Sequence, residues 1–441
     1  MIRLHDSATG QIRELALREP GKVSLYVCGP TVYGPPHLGH GRFTLTYDVL
    51  RRYLRWCGLE VTFVSNITDI DDNILQRAER EQRPWQDIAQ KCEAVWWKAM
   101  DAMGIERPDH TPHATDFVAE MTALVQQFVS SAAAYVTSDG VYLSVEAVPD
   151  YGLLAHQSVE SMLAGGGERT LVGDEKRHPA DFALWKFSKP GEPAWPAPFG
   201  DGRPGWHTEC VVMSLGILGE GFDLHTGGQD LRFPHHENER AQAVVWGKDF
   251  AHHWMHNGFV VDKSGEKMSK SLDNFTNLLD LIETVDPRAY RMLVLQSHYR
   301  SPVTVDKETI GAAEVALERI DSLARRHVAI GDPDPSVLAA FRVAMDDDLN
   351  TPKAMEIVFD TIRAANANAD SALVSAVASM LSAVGLVAKV GAAVPETAMA
   401  RAAELDAARA AKDFAVADSI RAELQGQGFV VETTTSGTTL R

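Results

Sequence analysis

The sequence predicts an α/β protein built on a doubly wound parallel sheet that is split by an insertion. Two strand patterns, KVSLYVCGP at 22–30 and EVTFVSNIT at 60–68, flank a segment with helical periodicity. Strand, helix and strand over this length form a βαβ unit, whose ligands collect at strand ends and helix N-termini. Strand and glycine-turn patterns return near residue 205, so the sheet is expected to resume there.

The first strand and helix have clear ends. The strand alternates β-branched and apolar residues and stops at Gly-Pro, with Cys28 at its end. The helix is expected to end at Gly58, the usual type of C-terminal cap. Its apolar residues recur at helical spacing: Phe43, Tyr47, Leu50 and Leu54.

After the βαβ unit the predicted secondary structure of the chain changes twice. From about Asp109 to Val148 it is mostly helical and then short-stranded, and LAGGGERT at 163–170 is a glycine loop, which indicates an insertion. Beyond about residue 312 Ala-, Leu- and Glu-rich helices dominate. A linker at 389–398 precedes a small module, predicted to be a helix that ends near Gly426 or Gly428 and then a Val- and Thr-rich strand.

Composition narrows the function classes. The 441 residues carry a net charge of -18, which argues against binding nucleic acid through bulk charge but permits a local basic groove. The start, MIRLHDSATG, has no cationic-then-apolar leader, and no apolar run is long enough to cross a bilayer. We expect a soluble, cytoplasmic protein with no membrane partner. The 4 cysteines do not form a secreted disulfide framework.

PPHLGHGR at 35–42 places His37 and His40 at the start of the first helix, directly after the first strand. Imidazole donors, free backbone N–H groups and the helix dipole together favour polyphosphate oxygens. The P-loop pattern is absent from this turn, so a histidine-based phosphate site is the remaining option. The alternative is a solvated helix cap.

GEKMSKS at 265–271 supplies Lys267 and Lys270 on a Gly- and Ser-rich loop. Lysines on such a loop can neutralise charge that develops on phosphates during transfer. The alternative is a solvated basic loop.

FPHHENE at 233–239 combines two histidines and two glutamates behind a proline. A helix that starts at Pro234 would place His235 and Glu239 on one face, four residues apart, as a pair of metal ligands. Alternatively, the carboxylates only offset the positive end of the helix dipole. A complete metal site needs partners from elsewhere in the chain.

The HLGH and KMSKS motifs, one in the first βα turn and one after the last strand of the same sheet, resemble the paired signatures of class I aminoacyl-tRNA synthetases. From near residue 20 to the C-terminus the chain further resembles the cysteinyl-tRNA synthetases, in that family's order. The motifs that carry this resemblance are YVCGPTVY, TDIDDNI, DFALWK, KPGEPAW, GRPGWHTEC, FPHHENE, SHYRSP and DDLNTP.

This resemblance implies one Zn²⁺ ion per chain, held by two cysteines, a histidine and a glutamate. The matching residues are Cys28, Cys210, His235 and Glu239. The metal is expected to bind the substrate thiolate as a fifth ligand, since a soft metal distinguishes a thiol from a hydroxyl better than an apolar pocket does. His236 and Glu237 are expected at the helix start or behind the ligands, and Cys57 and Cys92 are expected to be buried.

The resemblance also implies an ATP site and a cysteine pocket. ATP enters with Mg²⁺; His37, His40, Lys267 and Lys270 act on its phosphates, and Gly39, Gly228, Asp230 and Lys270 bind the nucleotide. Thr31, Thr68, Trp206 and His207 match the residues that line the cysteine pocket. Trp206 could instead be a core aromatic, and Asp69, Asp71 and Asp72 an N-cap cluster. Asp273 and Asn73 depart from the family pattern, where glycine and lysine are usual.

The implied function is ATP-dependent activation of L-cysteine and its transfer to the 3' end of tRNA(Cys), by a chain expected to be a monomer. The expected segments are a Rossmann-like catalytic domain at 1–120 and 205–250, a connective insertion at 121–204, a KMSKS-bearing stem-contact region at 251–312, a helical bundle at 313–390 and an anticodon-binding module at 391–441. One alternative is a cysteine ligase of mycothiol synthesis, which transfers cysteine to an amino-sugar and lacks a tRNA-reading C-terminus. Another is a non-catalytic zinc protein that only binds RNA.

Overall fold

The computed structural model describes residues 2–156, 175–262, 277–390, 396–434 and 437–440. The predicted glycine loop at 163–170 and the KMSKS segment with Lys267, Lys270 and Asp273 lie outside the described residues, as do positions 391–395 of the predicted linker. Among the helices that are described, none is both long and apolar enough to span a membrane.

The chain begins with an antiparallel hairpin and then forms the predicted parallel sheet. The hairpin is β1 (Arg3–Asp6) and β2 (Gln11–Glu14). The sheet strands are β3 (Lys22–Val27), β4 (Glu60–Ser65), β9 (Leu224–Gly228) and β10 (His253–Asn257), in the order β10-β9-β3-β4 with all neighbours parallel. The sheet grows in both directions from β3, which confirms the doubly wound fold. Its last strand lies past residue 250, inside the segment assigned from sequence to the KMSKS-bearing region.

The helix α1 (Leu38–Trp56) connects β3 to β4 and completes the predicted βαβ unit. Its apolar residues are buried against the sheet, among them Tyr47, Leu50 and Leu54. The chain continues through α2 (Asp72–Glu81), α3 (Trp85–Ala102) and α4 (Val118–Ser130).

The insertion is a separate antiparallel sheet. It consists of β5 (Ala134–Val136), β6 (Gly140–Leu143), β7 (Phe182–Phe187) and β8 (Gly202–Pro204), paired in that order. Phe128 of α4 and Trp185 of β7 are buried in one apolar cluster with Cys28 and Cys210. The insertion therefore packs directly behind the end of the parallel sheet.

The chain then returns to the parallel sheet through α5 (Trp206–Leu218), and α6 (Glu237–Trp246) lies between β9 and β10. Regular helix begins at Glu237 rather than at Pro234, because Phe233 has extended backbone angles within a wide turn over Arg232–His236. Beyond the sheet come β11 (Val260–Val261), α7 (Leu278–Thr284), α8 (Pro287–Leu295) and β12 (Val303–Thr304), with β11 and β12 parallel.

The C-terminal part is helical, as expected. Its helices are α9 (Lys307–Arg326), α10 (Pro335–Asp346), α11 (Thr351–Asn368), α12 (Ser371–Ala383), α13 (Glu396–Ala410) and α14 (Phe414–Gly426). The helical stretch expected in the terminal module is interrupted before Phe414, because Lys412 has a left-handed φ of 61° and Asp413 caps the next helix. The chain ends in a hairpin of β13 (Val431–Thr434) and β14 (Gly437–Leu440).

Two of the apolar cores define how these parts combine. One continuous core joins α1 and the parallel sheet to α8–α12, with Leu50, Tyr290, Phe341 and Val377 among its members. The terminal module has a small core of its own, which includes Leu405, Ile420 and Leu424. The helical bundle is thus packed as part of the catalytic body, whereas the last module is stabilised by its own contacts.

Candidate active site and metal centre

Four potential metal ligands converge at the carboxyl edge of the parallel sheet. Cys28 follows β3, Cys210 lies in α5, and His235 and Glu239 lie on either side of the start of α6. The Sγ atoms of Cys28 and Cys210 are 3.7 Å apart, and Cys28 Sγ is 3.4 Å from Glu239 Oε1. His235 Nε2 lies 3.7 Å from Cys210 Sγ and 2.7 Å from Glu239 Oε1.

This donor set fits zinc. Ligands bound to one zinc at tetrahedral angles lie roughly 3.3–3.8 Å from one another. Both distances from Cys210 and the Cys28–Glu239 distance fall in this range, and the shorter His235–Glu239 distance is that of a hydrogen bond. All four residues are buried. Two soft sulfurs, an imidazole and a carboxylate favour zinc over magnesium or calcium, which prefer oxygen ligands.

The electrostatics of the cluster favour one thiolate. Burial alone raises the pKa of a thiol, but hydrogen bonds with Cys28 and His235 outweigh it and lower the pKa of Cys210 to about 6. Burial and the neighbouring Cys210 sulfur raise the pKa of Cys28 well above its ordinary value. Burial opposes protonation of His235, yet the Glu239 carboxylate raises its pKa to about 10. Protons held on these donors must leave when a metal binds.

Three further buried histidines, His225, His236 and His256, lie next to the cluster. His225 Nε2 hydrogen-bonds to Glu239 Oε2, the oxygen that faces away from His235. His236 Nδ1 contacts His256 Nε2 at 2.8 Å, and His256 Nδ1 contacts Ser7 Oγ at 2.7 Å. Cys28, His225, His236 and Glu239 form an alternative donor set within the same cluster. His236 was expected behind the ligands, and it is itself one of the donors of this alternative set.

The residues predicted to line the cysteine pocket lie around the donor cluster. Thr31 and Thr68 pair as neighbours where the chain continues beyond β3 and β4. The indole of Trp206 stacks on the His235 ring with centroids 4.0 Å apart and is 36% exposed, so Trp206 is not a core aromatic. His207 Nδ1 lies 2.9 Å from His235 Nδ1. Burial and the charge of His235 hold the pKa of His207 well below its ordinary value, so it can accept the proton of His235 Nδ1.

His37 and His40 cap α1 reciprocally. The backbone N–H of His40 donates to His37 Nδ1 at 3.2 Å, and that of His37 donates to His40 Nδ1 at 3.1 Å. Because each Nδ1 accepts, a neutral ring must carry its proton on Nε2. Burial and the neighbouring His37 hold the pKa of His40 well below its ordinary value, which keeps its ring neutral. His40 therefore has a neutral Nε2–H donor at the N-terminus of a long helix, a place that favours anions.

The predicted nucleotide residues lie beside this helix start and at the end of β9. A Cβ on Gly39 would lie 3.0 Å from His37 Cε1, so the ring would have to shift by a few tenths of an ångström to make room for it. A Cβ on Gly228 would lie 2.5 Å from Asp230 Oδ1, so these two residues are also in close contact. A cavity of about 260 Å³ is lined by Gln229, which lies between Gly228 and Asp230 in sequence, and by Ala155, Arg232, Phe233 and Phe259.

The acidic run at 69–72 has several roles. Asp71 caps α2 by accepting from the backbone N–H of Asn73 at 2.8 Å. For this residue the alternative prediction, an N-cap, is correct. Asp72 instead forms ion pairs with Lys186 and Arg203 of the insertion, and Asp69 accepts from Thr115. The side-chain amide of Asn73 also donates to Asp71, at 2.7 Å.

Comparisons with known proteins agree with this geometry. A family model described as "tRNA synthetases class I (C) catalytic domain" matches residues 14–315, and one described as "DALR domain" matches 340–388. The chain is 41% identical to the cysteine–tRNA ligase of Geobacter sulfurreducens over 99% of both chains. It is 42% identical to that of Halorhodospira halophila over 100% of this chain and 99% of the relative. This chain belongs to the cysteine–tRNA ligase family.

Solved structures of other class I synthetases share the fold of this cysteine–tRNA ligase family member. Mycobacterium tuberculosis methionyl-tRNA synthetase in complex with methionyl-adenylate aligns with a TM-score of 0.58 at 16% identity, over 82% of this chain and 89% of that one. A putative arginyl-tRNA synthetase from Campylobacter jejuni aligns with a TM-score of 0.53 at 13% identity, over 84% and 94%.

Several residues around the site of this family member were not predicted. His225 lies in β9 within an apolar neighbourhood, and a histidine in a buried strand is the only local signal that could have singled it out. Asn66 accepts from the backbone N–H of Gly29 at 2.8 Å and holds the turn after Cys28. Glu209 is buried and accepts from the Thr68 hydroxyl at 2.6 Å, and burial raises its pKa well above the ordinary value. Its neighbours Trp206, His207 and Cys210 were predicted to be site residues. Glu209 lies in the same motif, GRPGWHTEC, so its place in that motif is the signal that could have identified it.

Proposed function

We propose that this protein activates L-cysteine with ATP and transfers it to the 3' end of tRNA(Cys). The observation that carries the proposal is the convergence of Cys28, Cys210, His235 and Glu239 at the carboxyl edge of the sheet. Such an edge is where ligands of doubly wound folds bind. The histidine-capped N-terminus of α1 begins just beyond the same edge of β3.

The four donors would hold one zinc ion. When bound, zinc supplies a soft Lewis acid that takes a thiolate in preference to a neutral hydroxyl. The protein orients the donors: His235 Nδ1–H donates to His207 Nδ1, and His225 Nε2–H donates to the second oxygen of Glu239. Such contacts to ligands fix ring orientation and raise affinity. They support a preformed site for a thiol rather than a helix start with unrelated carboxylates.

Residues above the donor cluster would hold the cysteine. Thr31 and Thr68 lie side by side on the extended ends of two strands, and Trp206 covers the His235 ring. We assign Trp206 to limiting the size of the side chain that enters, because a larger side chain would have to displace the indole. Thr68 is oriented by Glu209, which leaves the threonine oxygen a defined direction toward a ligand.

The chemical step needs no protein nucleophile. The cysteine carboxylate attacks the α-phosphate of Mg²⁺-bound ATP in line, an acyl-phosphate bond forms, and pyrophosphate leaves. His40 would donate its Nε2–H to the leaving phosphates, where negative charge increases. His37 is assigned the same task, and Lys267 and Lys270 are proposed to act on these phosphates from the KMSKS segment. Gly39, Gly228 and Asp230 are assigned to the nucleotide.

In the second step a terminal ribose hydroxyl of tRNA attacks the acyl carbon and AMP leaves. Class I enzymes are expected to use the 2'-hydroxyl. The bundle and the terminal module are the parts proposed to bind tRNA, the latter at the anticodon. Residues 391–441 contain seven acidic and five basic residues, so a basic surface there must be local. Arg401, for example, is paired with Glu423.

We further propose a cytoplasmic monomer. The amino-sugar ligase is not favoured, since the relatives that match over the full length are cysteine–tRNA ligases and the terminal module has a core of its own. A non-catalytic zinc protein would have no use for the capped histidines beside the donor cluster.

The deciding experiment is ATP–pyrophosphate exchange with cysteine, followed by charging of tRNA(Cys). Serine serves as the matched control substrate, because it differs from cysteine only in oxygen for sulfur. Exchange that requires cysteine and charging of tRNA(Cys) are the expected results. Exchange with cysteine but transfer only to an amino-sugar would support the alternative ligase, and no exchange at all would leave a binding protein.

A further inference from the structure

Arg42, just past the two histidines of α1, has an unusual environment. Its side chain is 1% exposed, and among the described residues its hydrogen-bond acceptors are all backbone carbonyls. Nη1 donates to Phe259 O at 2.5 Å, and Nη2 donates to Tyr299 O at 3.1 Å and to Ser301 O. These acceptors come from two segments about forty residues apart in sequence.

Burying a charged guanidinium between two segments costs free energy, because the charge is removed from water. Among the described residues no carboxylate is paired with Arg42, and burial lowers its pKa to about 10, which still leaves it charged at neutral pH. An unpaired buried charge destabilises a fold unless hydrogen bonds compensate. The guanidinium has five donors in a fixed planar fork, so it can bond carbonyls on two segments at once and in a defined geometry. The arrangement therefore indicates a positional requirement rather than general stability.

The two segments flank the KMSKS region. Phe259 lies three residues before the end of the described range 175–262, and the next described range begins at Asn277. At that far end, the N–H of Leu278 donates to Pro36 O at 3.1 Å, next to His37. The hydroxyl of Tyr290 donates to Leu38 O at 2.6 Å. Both ends of the segment are thus attached to the start of the helix that carries the phosphate-binding histidines.

We propose that Arg42 is a positioning residue for the activation step, which holds the chain leading into the KMSKS segment, and the loop at 298–301, against the helix that carries His37 and His40. This inference rests on the proposed function. It assigns Arg42 no contact with a substrate. Its effect is to fix Phe259 and the loop at 298–301 relative to His37 and His40.

The loop that accepts from Arg42 is held from its other side by the helical bundle. The hydroxyl of Tyr299 donates to Asp348 Oδ1 at 2.7 Å, and Arg300 Nε donates to Asp348 Oδ2 at 2.8 Å. Asp348 is buried and precedes α11. Because the loop is fixed to the bundle, it cannot simply follow α1 when Arg42 is changed. Loss of Arg42 should therefore alter the position of Phe259 and of the loop at 298–301 relative to the start of α1.

The test compares Arg42→Lys and Arg42→Met with wild type in cysteine-dependent ATP–pyrophosphate exchange. We expect kcat to fall roughly ten- to a hundredfold, as for a displacement of about 1 Å at the reacting groups. The KM for cysteine and the zinc content should stay near wild type, because the donor cluster does not contact Arg42. Arg291→Lys is the matched control: Arg291 is also buried, and it bonds Asp48 of α1 at 2.6 Å without touching Phe259.

Arg291→Lys should lower thermal stability comparably and keep kcat near wild type. Equal loss of kcat in both variants, or parallel loss of zinc and cysteine affinity, would overturn the proposal. A second measurement combines Arg42→Lys with Lys270→Ala. If Arg42 acts through the position of the lysines, the double variant should lose much less than the product of the two single losses; full multiplicativity refutes this. If wild type shows no cysteine-dependent exchange, the proposed function is itself wrong and this inference falls with it.

Discussion

The imidazole rings of His37 and His40 stack with their centroids 3.6 Å apart, and each ring accepts a hydrogen bond from the backbone N–H of the other residue. Helix caps usually use a short hydroxyl or carboxylate side chain. Here the cap also fixes the tautomer, so that the neutral His40 ring carries its proton on Nε2, the nitrogen that can donate to a ligand. One local structure thus stabilises the helix start and provides its chemistry.

Two substitutions separate these roles. In His40→Asn the amide oxygen can replace Nδ1 as the cap acceptor, while the distal donor is lost. In His40→Gln the amide N–H can replace Nε2–H, while the cap is lost. We expect His40→Asn to lower the kcat of ATP–pyrophosphate exchange by roughly 10²–10³-fold with little change in thermal stability. His40→Gln should keep more activity and lose more stability. The reverse pattern would show that only the cap matters.

Gly39→Ala tests the space beneath the stacked rings. The new Cβ would lie 3.0 Å from His37 Cε1 and 3.1 Å from His37 Nδ1, so the ring must shift and the reciprocal cap weakens. The expected result is a fall in kcat of roughly tenfold, measured by exchange. Gly34→Ala is the control, because no neighbour lies within 4 Å of its added Cβ. Similar losses in both variants would contradict the steric argument.

Cys210→Ser should reduce bound zinc from one per chain to a small fraction, measured by atomic absorption on the purified protein. It should also raise the KM for cysteine far more than that for ATP. Discrimination against serine should fall to about a hundredfold or less, as in a pocket without a soft metal. Cys92→Ser is the control, since Cys92 is buried in another cluster, beside Arg77. A zinc-free Cys210→Ser protein with an unchanged cysteine KM would make the metal purely structural.

Asp348 connects the bundle to the catalytic body. It accepts from Tyr299, from Arg300 and from the backbone N–H of His5, and it has a left-handed φ of 57°. Asn tolerates this conformation, so Asp348→Asn removes the charge and leaves the backbone undisturbed. We expect the free energy of unfolding in urea to fall by about 1.5–3 kcal/mol. Asp347→Asn, at the exposed neighbouring residue, is the control and should change the free energy of unfolding by less than about 0.5 kcal/mol.

Deletion of residues 391–441 should leave cysteine activation nearly intact, because the proposed ATP, zinc and cysteine residues all precede residue 271 and the module has its own core. Charging of tRNA(Cys) should fall strongly. In the intact protein, affinity for tRNA should decrease as salt is added, since phosphate contacts release counterions. If the truncated chain charges tRNA as well as the full chain, the module serves another purpose.

Local sequence patterns were sufficient for features that lie within one element. The spacing of His235 and Glu239 predicted a pair of donors on one face of a helix that starts at Pro234. Regular helix begins only at Glu237, yet the donor atoms of the two residues are 2.7 Å apart. The helical periodicity of residues 43–54 predicted α1, and the strand pattern placed Cys28 at the end of β3, which ends one residue earlier, at Val27. These predictions hold because backbone geometry relates neighbours a few residues apart in the same way in every protein.

Contacts between distant elements depended on the tertiary structure. Cys28 and Cys210 are 182 residues apart in sequence, and the guanidinium of Arg42 bonds a carbonyl 217 residues away. The partnership of the two cysteines was inferred from a family resemblance, and the acceptors of Arg42 were not predicted at all. Periodicity indicates which face of a helix or strand is buried, but not which face of another element it meets. Which faces meet depends on how the cores of the sheet, the insertion and the bundle pack together. The same packing places buried residues such as His225 and Arg42 next to the site.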